Sequence, residues 1–526
     1  MATVEDFMNQ IGDAAGLPLL GVKLLVCLIA GYPLGLIHRL IFIRTSASIQ
    51  HIFFTIVGIG IARFCFGNDF VHSLANIIIN YILLSALGGT SLSVALAFII
   101  HMGYLLGGYY YYATDDYDID WTTAHCVLTL KLIAVVFDRY DGAQDEAKLN
   151  EEQKWRCLKE TPSLLEMLGH AYFFGGFLVG PQISMSRYLK FTSGSLLRNA
   201  PQSPFSSVLP ATIRIVTGFV YMGVYSVVSS YGAPDYMLTT EFAVCSLLSI
   251  FLNSPEWYRL IYPYICVRTQ FVRYVSAWLL AESSCMMSGI SYNEKGTNFY
   301  SKWNAMANVR LRILETAYTV KHLIQSFNIN TNRWGVSYIY KRLRFLGNTM
   351  LSQLALLYFL AIWHGLYIGY FVAFTIELAD VFMENELSCY EPEVFRCPKI
   401  VLLETNETNK QILENVNFLF FYQSVRILAI LLETEKTSEL PFFTRLCVNA
   451  FHCFRSFYFL GIGFAAFSLI TYEKTVQAFK NIGYAPLVIF GIWTIWYIVF
   501  NAIAANKLRR QKAKELKDKV FFKSRS

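Results

Sequence analysis

Residues 351–370 read LSQLALLYFLAIWHGLYIGY, and this stretch decides what kind of molecule the chain is. At 1.5 Å per residue, about 20 helical residues cross a hydrocarbon core of roughly 30 Å, so the stretch is one bilayer thickness of apolar sequence. Inside it stands His364, flanked by Trp363 and Gly365. An imidazole in hydrocarbon is strongly disfavoured unless it has a partner or lines a wet cavity. Gly365 and Gly369 form a small-xxx-small pair, which is expected to face protein rather than lipid. Two roles fit this segment alone: a structural histidine bonded to a neighbouring helix, or a chemical one.

The rest of the chain carries the same signature. Of its 526 residues 55% are hydrophobic and 15% charged, with a mean hydropathy of +0.41. A soluble domain is about 45–50% apolar even with glycine counted, and about 25% charged. An all-α polytopic membrane protein is expected, with about eleven transmembrane helices and interfacial helices beside them. The apolar runs behind that count are 17–37, 52–66, 70–87, 91–112, 163–183, 207–229, 236–252, 351–370, 418–432, 457–471 and 484–505, with 122–137 short for a full crossing. With no repeat or linker, residues 1–526 read as one domain with a basic tail over 507–526.

Between the runs, 138–161 is charged and reads as an exposed loop, with Asp138-Arg139-Tyr140 at its solvated end. Residues 173–183, FFGGFLVGPQI, combine loose glycines with Pro181, which has no backbone donor; an unwound segment lining a cavity is expected. Pro255 and Pro263 bracket a Trp/Tyr/Arg-rich piece better suited to the interface than to a crossing. His101 and His170 lie in apolar runs and read as packing histidines, although His170 precedes the GPQ segment and fits a cavity wall equally.

Charge fixes an expected sidedness. Between Lys507 and Arg525 nine basic residues stand against two acidic ones, a net +7 that equals the formal charge of the whole chain. A basic tail directly after an apolar run is a topology signal before it is a nucleic-acid signal, and no nucleic-acid partner is expected. With that tail cytosolic, parity places the acidic stretch 377–414 in the lumen. It holds the sequon Asn406-Glu407-Thr408 and the polar cysteines Cys389 and Cys397, candidates for a disulfide. One further crossing returns 292–348, with Lys321, Arg333, Lys341, Arg342 and Arg344, to the cytosol. No basic n-region leads a short apolar core, so a cleaved leader is not expected. No CxxC or zinc-type spacing occurs, so no metal is expected.

The second feature of note is 327–334, FNINTNRW. Asn328 precedes His364 by 36 residues, about 54 Å of straight helix, so the chain must bend between them, and Gly347-Asn348 is the natural turn. Such a fold-back brings an amide and an imidazole toward one site. Three asparagines in five residues are also ordinary loop composition.

These residues resemble the membrane-bound O-acyltransferases. SFNINTN-x-W (326–334), WHGLYIGY (363–370), YIYKRLRFLGN (338–348) and GPQISMSRY (180–188) carry the resemblance, which runs from about Gly175 to Tyr370 and is most specific to the phospholipid branch. The resemblance implies a central catalytic cavity among the transmembrane helices, with His364 and Asn328 as a catalytic pair. It also implies acyl transfer from acyl-CoA, as co-substrate, to the free hydroxyl of a lysophospholipid in the bilayer. His364 would take the hydroxyl proton, and Asn328 would orient the imidazole or donate to the oxyanion. The CoA thiolate is a good leaving group, so no bound cofactor is required. Lys341, Arg342 and Arg344 are candidates for the CoA phosphates, although the positive-inside rule explains them as well. Trp334, Trp363, His170 and Gln182 are candidates for the cavity wall. An endoplasmic reticulum location is implied, but the chain ends FFKSRS where a dilysine signal is expected. Sterols, diacylglycerols and peptides are the alternative acceptors. A transporter would need paired ionisable residues within the spans or a repeated half, and neither is visible.

Overall fold

The computed structural model describes residues 2–389, apart from 16, 113–119, 202, 241, 243–256 and 318, together with 460–484 and a few positions up to 495. Among these residues every regular element is helical. The N-terminal half contains α1 (Ala2–Ala15), α2 (Leu19–Ile37), α3 (Ala47–Phe66), α4 (Phe70–Leu87), α5 (Ser91–Tyr111) and α6 (Trp121–Gly142). Then follow α7 (Val208–Val228), α8 (Trp257–Ser288), the short α9 (Ile329–Gly335), α10 (Thr349–His364), α11 (Ile368–Cys389) and α12 (Leu460–Leu469).

Five stretches among the described residues are long and apolar enough to cross a membrane: Leu19–Phe42, Ala47–Leu87, Ser91–Tyr111, Trp121–Gly142 and Phe205–Val228. The described residues are therefore those of an all-helical membrane protein. The expected runs 418–432 and most of 236–252 and 484–505 lie outside the described residues, as do 390–414 with its sequon and Cys397, and the basic tail.

α6 forms the post of the molecule. Of its most apolar stretch 83% is buried within the protein, against 22–33% for the other four spans. Its start is fixed by Asp120, whose carboxylate accepts from the Thr122 backbone N–H at 2.7 Å in a capping box with Thr123. The sequence undersized this helix because Asp138 ends its apolar run; Lys131 within the run and Asp138 are both buried against protein. α5 lies along α6, while α8 packs along α7 and α2 on the other side.

Three further expectations are corrected. Pro263 does not bound the piece that follows Pro255: from Trp257 the chain forms the 32-residue α8 with Pro263 inside it. Thr269, Gln270, Glu282, Ser283 and Ser284 break its apolar pattern, yet all are buried between helices. Asp138 is no solvated loop end either. It is buried and accepts from the Tyr338 hydroxyl at 2.8 Å. Residues 377–389 continue α11 instead of opening a polar loop. Asp380 and Glu384 are buried, and Glu384 accepts from the Val320 N–H at 2.7 Å and the Lys321 N–H at 3.2 Å, capping the helix Val320–Ser326.

The unwound segment is present as expected. After the helix Leu164–Ala171 comes a four-residue turn, Phe174–Phe177, and then non-helical backbone to Ser184.

Candidate active site

The apolar run 351–370 is not one helix. α10 stops at His364, because Gly365 takes φ +135, and α11 begins at Ile368. His364 therefore sits at a helix end, half-buried in a cup of rings. Trp363, Phe467, Tyr370 and Phe374 lie 4.5, 4.8, 5.7 and 5.8 Å away by centroid, with Phe467 edge-on. Among the described residues its imidazole makes no hydrogen bond, so the bonded structural histidine is not what is seen. Gly369 brings the backbones of α11 and α12 together: its N–H donates to the Ile470 carbonyl at 3.0 Å, and an added Cβ would stand 2.2 Å from the Ala466 carbonyl oxygen. The small pair does face protein.

The fold-back from Asn328 occurs where expected. Gly347 is left-handed at φ +70, and the Asn348 side chain caps α10 by accepting from the Met350 and Leu351 N–H groups at 2.9 and 3.3 Å. Asn328 itself is left-handed, at φ 49 and ψ 44, a conformation asparagine tolerates better than most residues. Its neighbour Phe327 stacks on Phe271 of α8 at 4.1 Å and meets Phe464 at 6.3 Å. Phe464 meets Phe467 at 5.9 Å, and Phe467 meets His364. One aromatic cluster thus joins the Asn328 loop to the His364 cup, although the two residues do not hydrogen-bond to each other.

Three of the four candidate wall residues converge on a single turn of α6. Trp363 donates its indole N–H to the Cys126 carbonyl at 2.8 Å, Gln182 its amide to Val127 at 3.1 Å, and Trp334 its indole to Leu130 at 2.8 Å. The fourth, His170, is buried and holds the unwound segment through Nε2 and the Ile183 carbonyl at 2.8 Å. Lys131 reaches the same segment, donating from Nζ to Gly176 at 2.6 Å. His101 packs as expected, with its ring nitrogens 3.0 Å from the Asn76 and Asn80 amide oxygens.

The three basic candidates separate. Lys341 pairs with Glu152 at 2.8 Å, and Arg342 with buried Asp141 at 2.7 Å. Arg344 is exposed and has no ion pair among the described residues. Glu152, desolvated at this edge, still titrates below the ordinary carboxylate range, because the Lys341 hydrogen bond and the nearby Arg156 charge outweigh its burial.

Sequence reasoning missed a buried ion pair. Arg214 of α7 and Glu282 of α8 lie 2.7 Å apart, both nearly inaccessible. Each is an ionisable residue within a long membrane-protein helix, and that alone was a signal for it.

The comparisons agree with this architecture. The model of the MBOAT, membrane-bound O-acyltransferase, family matches residues 106–388. "Lysophospholipid acyltransferase 5" of Mus musculus is 40% identical over 386 residues, 73% of this chain and 77% of that protein. The Homo sapiens protein of that name is 40% identical over 382 residues, covering 72% and 76%. The Drosophila melanogaster one is 32% identical over 505 residues, covering 96% and 92%. The matched region contains His364 with Trp363, Tyr370 and Phe374 of its cup, the Asn328 loop and the α6 post, and the chain belongs to the membrane-bound O-acyltransferase family.

Proposed function

We propose that this protein is a lysophospholipid acyltransferase that moves a fatty acyl chain from acyl-CoA to the free hydroxyl of a lysophospholipid such as lysophosphatidylcholine, with His364 and Asn328 as its catalytic pair. One observation carries the reading: an imidazole that makes no hydrogen bond among the described residues, at the broken end of an apolar helix, in an aromatic cup connected to the Asn328 loop. The relatives named lysophospholipid acyltransferase 5 support the acceptor class.

Neutral His364 takes the hydroxyl proton as the oxygen attacks the thioester carbonyl. The new C–O bond forms, the carbonyl oxygen carries the negative charge, and the Asn328 carboxamide donates to it or orients the ring. The C–S bond then breaks, and the imidazolium returns the proton to the CoA thiolate. Phe467, Phe374 and Tyr370 keep water from the thioester. The 16 residues of α10 rise about 24 Å, short of the roughly 30 Å core, so a helix starting at one interface sets His364 at membrane depth, where an acyl chain resides. Lys341, Arg342 and Arg344 bear on the CoA phosphates, with Arg344 foremost because the other two are paired. Trp334, Trp363, His170 and Gln182 support the cavity by fixing the elements around α6. The same reading has one domain of about eleven crossings in the endoplasmic reticulum membrane, with the basic tail in the cytosol.

The test offers purified protein a mixture of lysophospholipids, a sterol and a diacylglycerol with several acyl-CoAs, and reads products by mass spectrometry. Diacyl phospholipid as the dominant product is expected. A sterol ester or triacylglycerol as the main product would replace the acceptor, and no acylated product would end the reading.

A further inference from the structure

Asparagine at a helix N-cap ordinarily uses its own side-chain oxygen to accept from the N2 or N3 backbone N–H. Asn328 caps α9 by position, yet its side chain makes no such bond. Another residue does the work. Asn308, twenty positions earlier and buried, accepts from the Ile329 N–H through its backbone carbonyl at 3.0 Å, and from the Asn330 N–H through Oδ1 at 2.9 Å. Its Nδ2 points to the Asn328 Oδ1 at 3.5 Å, the longest contact of the set. The Asn330 amide returns the grip, donating to the Asn308 Oδ1 at 3.2 Å and the Ala307 carbonyl at 3.1 Å.

Asn308 is itself held. The Glu282 carboxylate Oε1 accepts from the Asn308 N–H at 2.7 Å and the Val309 N–H at 3.0 Å, and its other oxygen faces Arg214 Nε. A charge so deeply buried is strongly disfavoured without such partners. The chain of contacts runs from α7 through α8 to the loop before α9, and ends on the left-handed residue.

We infer that Asn308 is the positioning residue of Asn328: it caps α9 in place of Asn328, fixes the left-handed turn, and by meeting the Asn328 Oδ1 turns the amide N–H groups of Asn328 to the reaction, with the Glu282–Arg214 pair as its anchor. This rests on the reading of Asn328 as one of the catalytic pair.

The test compares full-length Asn308→Asp, Asn308→Ala and Asn328→Ala with the wild type. It measures kcat, KM for lysophosphatidylcholine and for an unsaturated acyl-CoA, and melting temperature in detergent. Asp keeps the oxygen that accepts from Asn330 but removes the donor toward Asn328 and sets a carboxylate against its oxygen. The Asn308→Asp protein is expected to lose about ten- to a hundred-fold in kcat, as small misplacements of a reacting group do, with both KM values close to wild type and a melting temperature lowered by the buried carboxylate but still that of a folded protein. The Asn308→Ala protein, which loses the cap as well, should lose more kcat and also melt lower. Wild-type kcat in Asn308→Asp overturns the inference. So does an unfolded Asn308→Asp protein, or one altered in KM alone, because each assigns Asn308 to folding or to binding. Asn328→Ala separates the two layers. If it is inactive while Asn308→Asp is active, only the positioning role fails; if it keeps wild-type kcat, the reading of Asn328 fails.

Discussion

The indole N–H of Trp363 donates to the Cys126 carbonyl at 2.8 Å, and so ties the residue beside His364 to the most buried span of the molecule. Tyr109 of α5 adds a second tie, its hydroxyl donating to the Trp363 carbonyl at 3.1 Å. The end of α10 is therefore registered against α5 and α6, and the imidazole inherits its place from them.

Trp363→Phe removes the donor and shrinks the buried indole to a single ring. A loss of about 0.5–1.5 kcal/mol in stability is expected from the hydrogen bond, and more from the volume left empty. Because the loosened residue adjoins His364, kcat should fall further than stability implies, by up to about a hundred-fold. Thermal melting and turnover of the purified variant check both. Unchanged kcat would mean that the Cys126 tie does not position the site.

The glycines divide by what surrounds them. Gly369→Ala sets a Cβ 2.2 Å from the Ala466 carbonyl oxygen, and should force α11 off α12 at a cost of about 1–3 kcal/mol with loss of activity. Gly365→Ala should be impaired to a similar degree, since φ +135 strains any residue with a side chain, by about 1–3 kcal/mol. Gly60→Ala in α3 meets nothing within 4 Å and serves as the control, expected to fold and turn over normally. Melting curves of the three variants decide whether close backbone approach shapes the cup.

Much of this was legible in the sequence, and what was missed shares one physical cause. The helical class, the turn at Gly347-Asn348, the unwinding before Pro181 and the packing of His101 follow from local rules of periodicity, left-handed glycine and buried polar pairing. The misread elements are those whose polar residues are buried against other parts of the protein. Asp138 shortened α6, Glu282 and its serines hid α8, and Glu384 made the end of α11 resemble a loop. A hydropathy pattern cannot tell a polar side chain that meets water from one that meets a distant backbone N–H. The break at Gly365 was hidden in the opposite way, because the residues on both sides of it are apolar. For the site, the motifs held His364 and Asn328, whereas Asn308, Glu282 and Arg214 become visible only through contacts across the fold.

At the cytosol-facing edge of the proposed topology, Arg344→Gln should raise KM for acyl-CoA more than KM for the lysolipid, and added salt should narrow the difference by screening. Lys341→Gln should have a smaller effect, since Glu152 already holds that ammonium. Equal shifts in both KM values would remove these residues from CoA binding.

Arg214→Met leaves the Glu282 carboxylate buried without its counter-charge. Such losses run to about 3–5 kcal/mol, so a marked drop in melting temperature and in folded yield is expected. A variant as stable as the wild type would show that the two backbone N–H groups alone hold Glu282.

The measurement that bears most directly on the whole account is the turnover of lysophosphatidylcholine with an unsaturated acyl-CoA by His364→Ala, at matched amounts of folded protein. Alanine is well tolerated in an apolar helix, so expression and melting should match the wild type. Turnover should fall by at least about 10²–10⁴-fold, the contribution of a positioned general base. A His364→Ala protein that acylates lysophosphatidylcholine at near-normal rate would contradict the account, and would leave this imidazole as one more ring in an aromatic cluster.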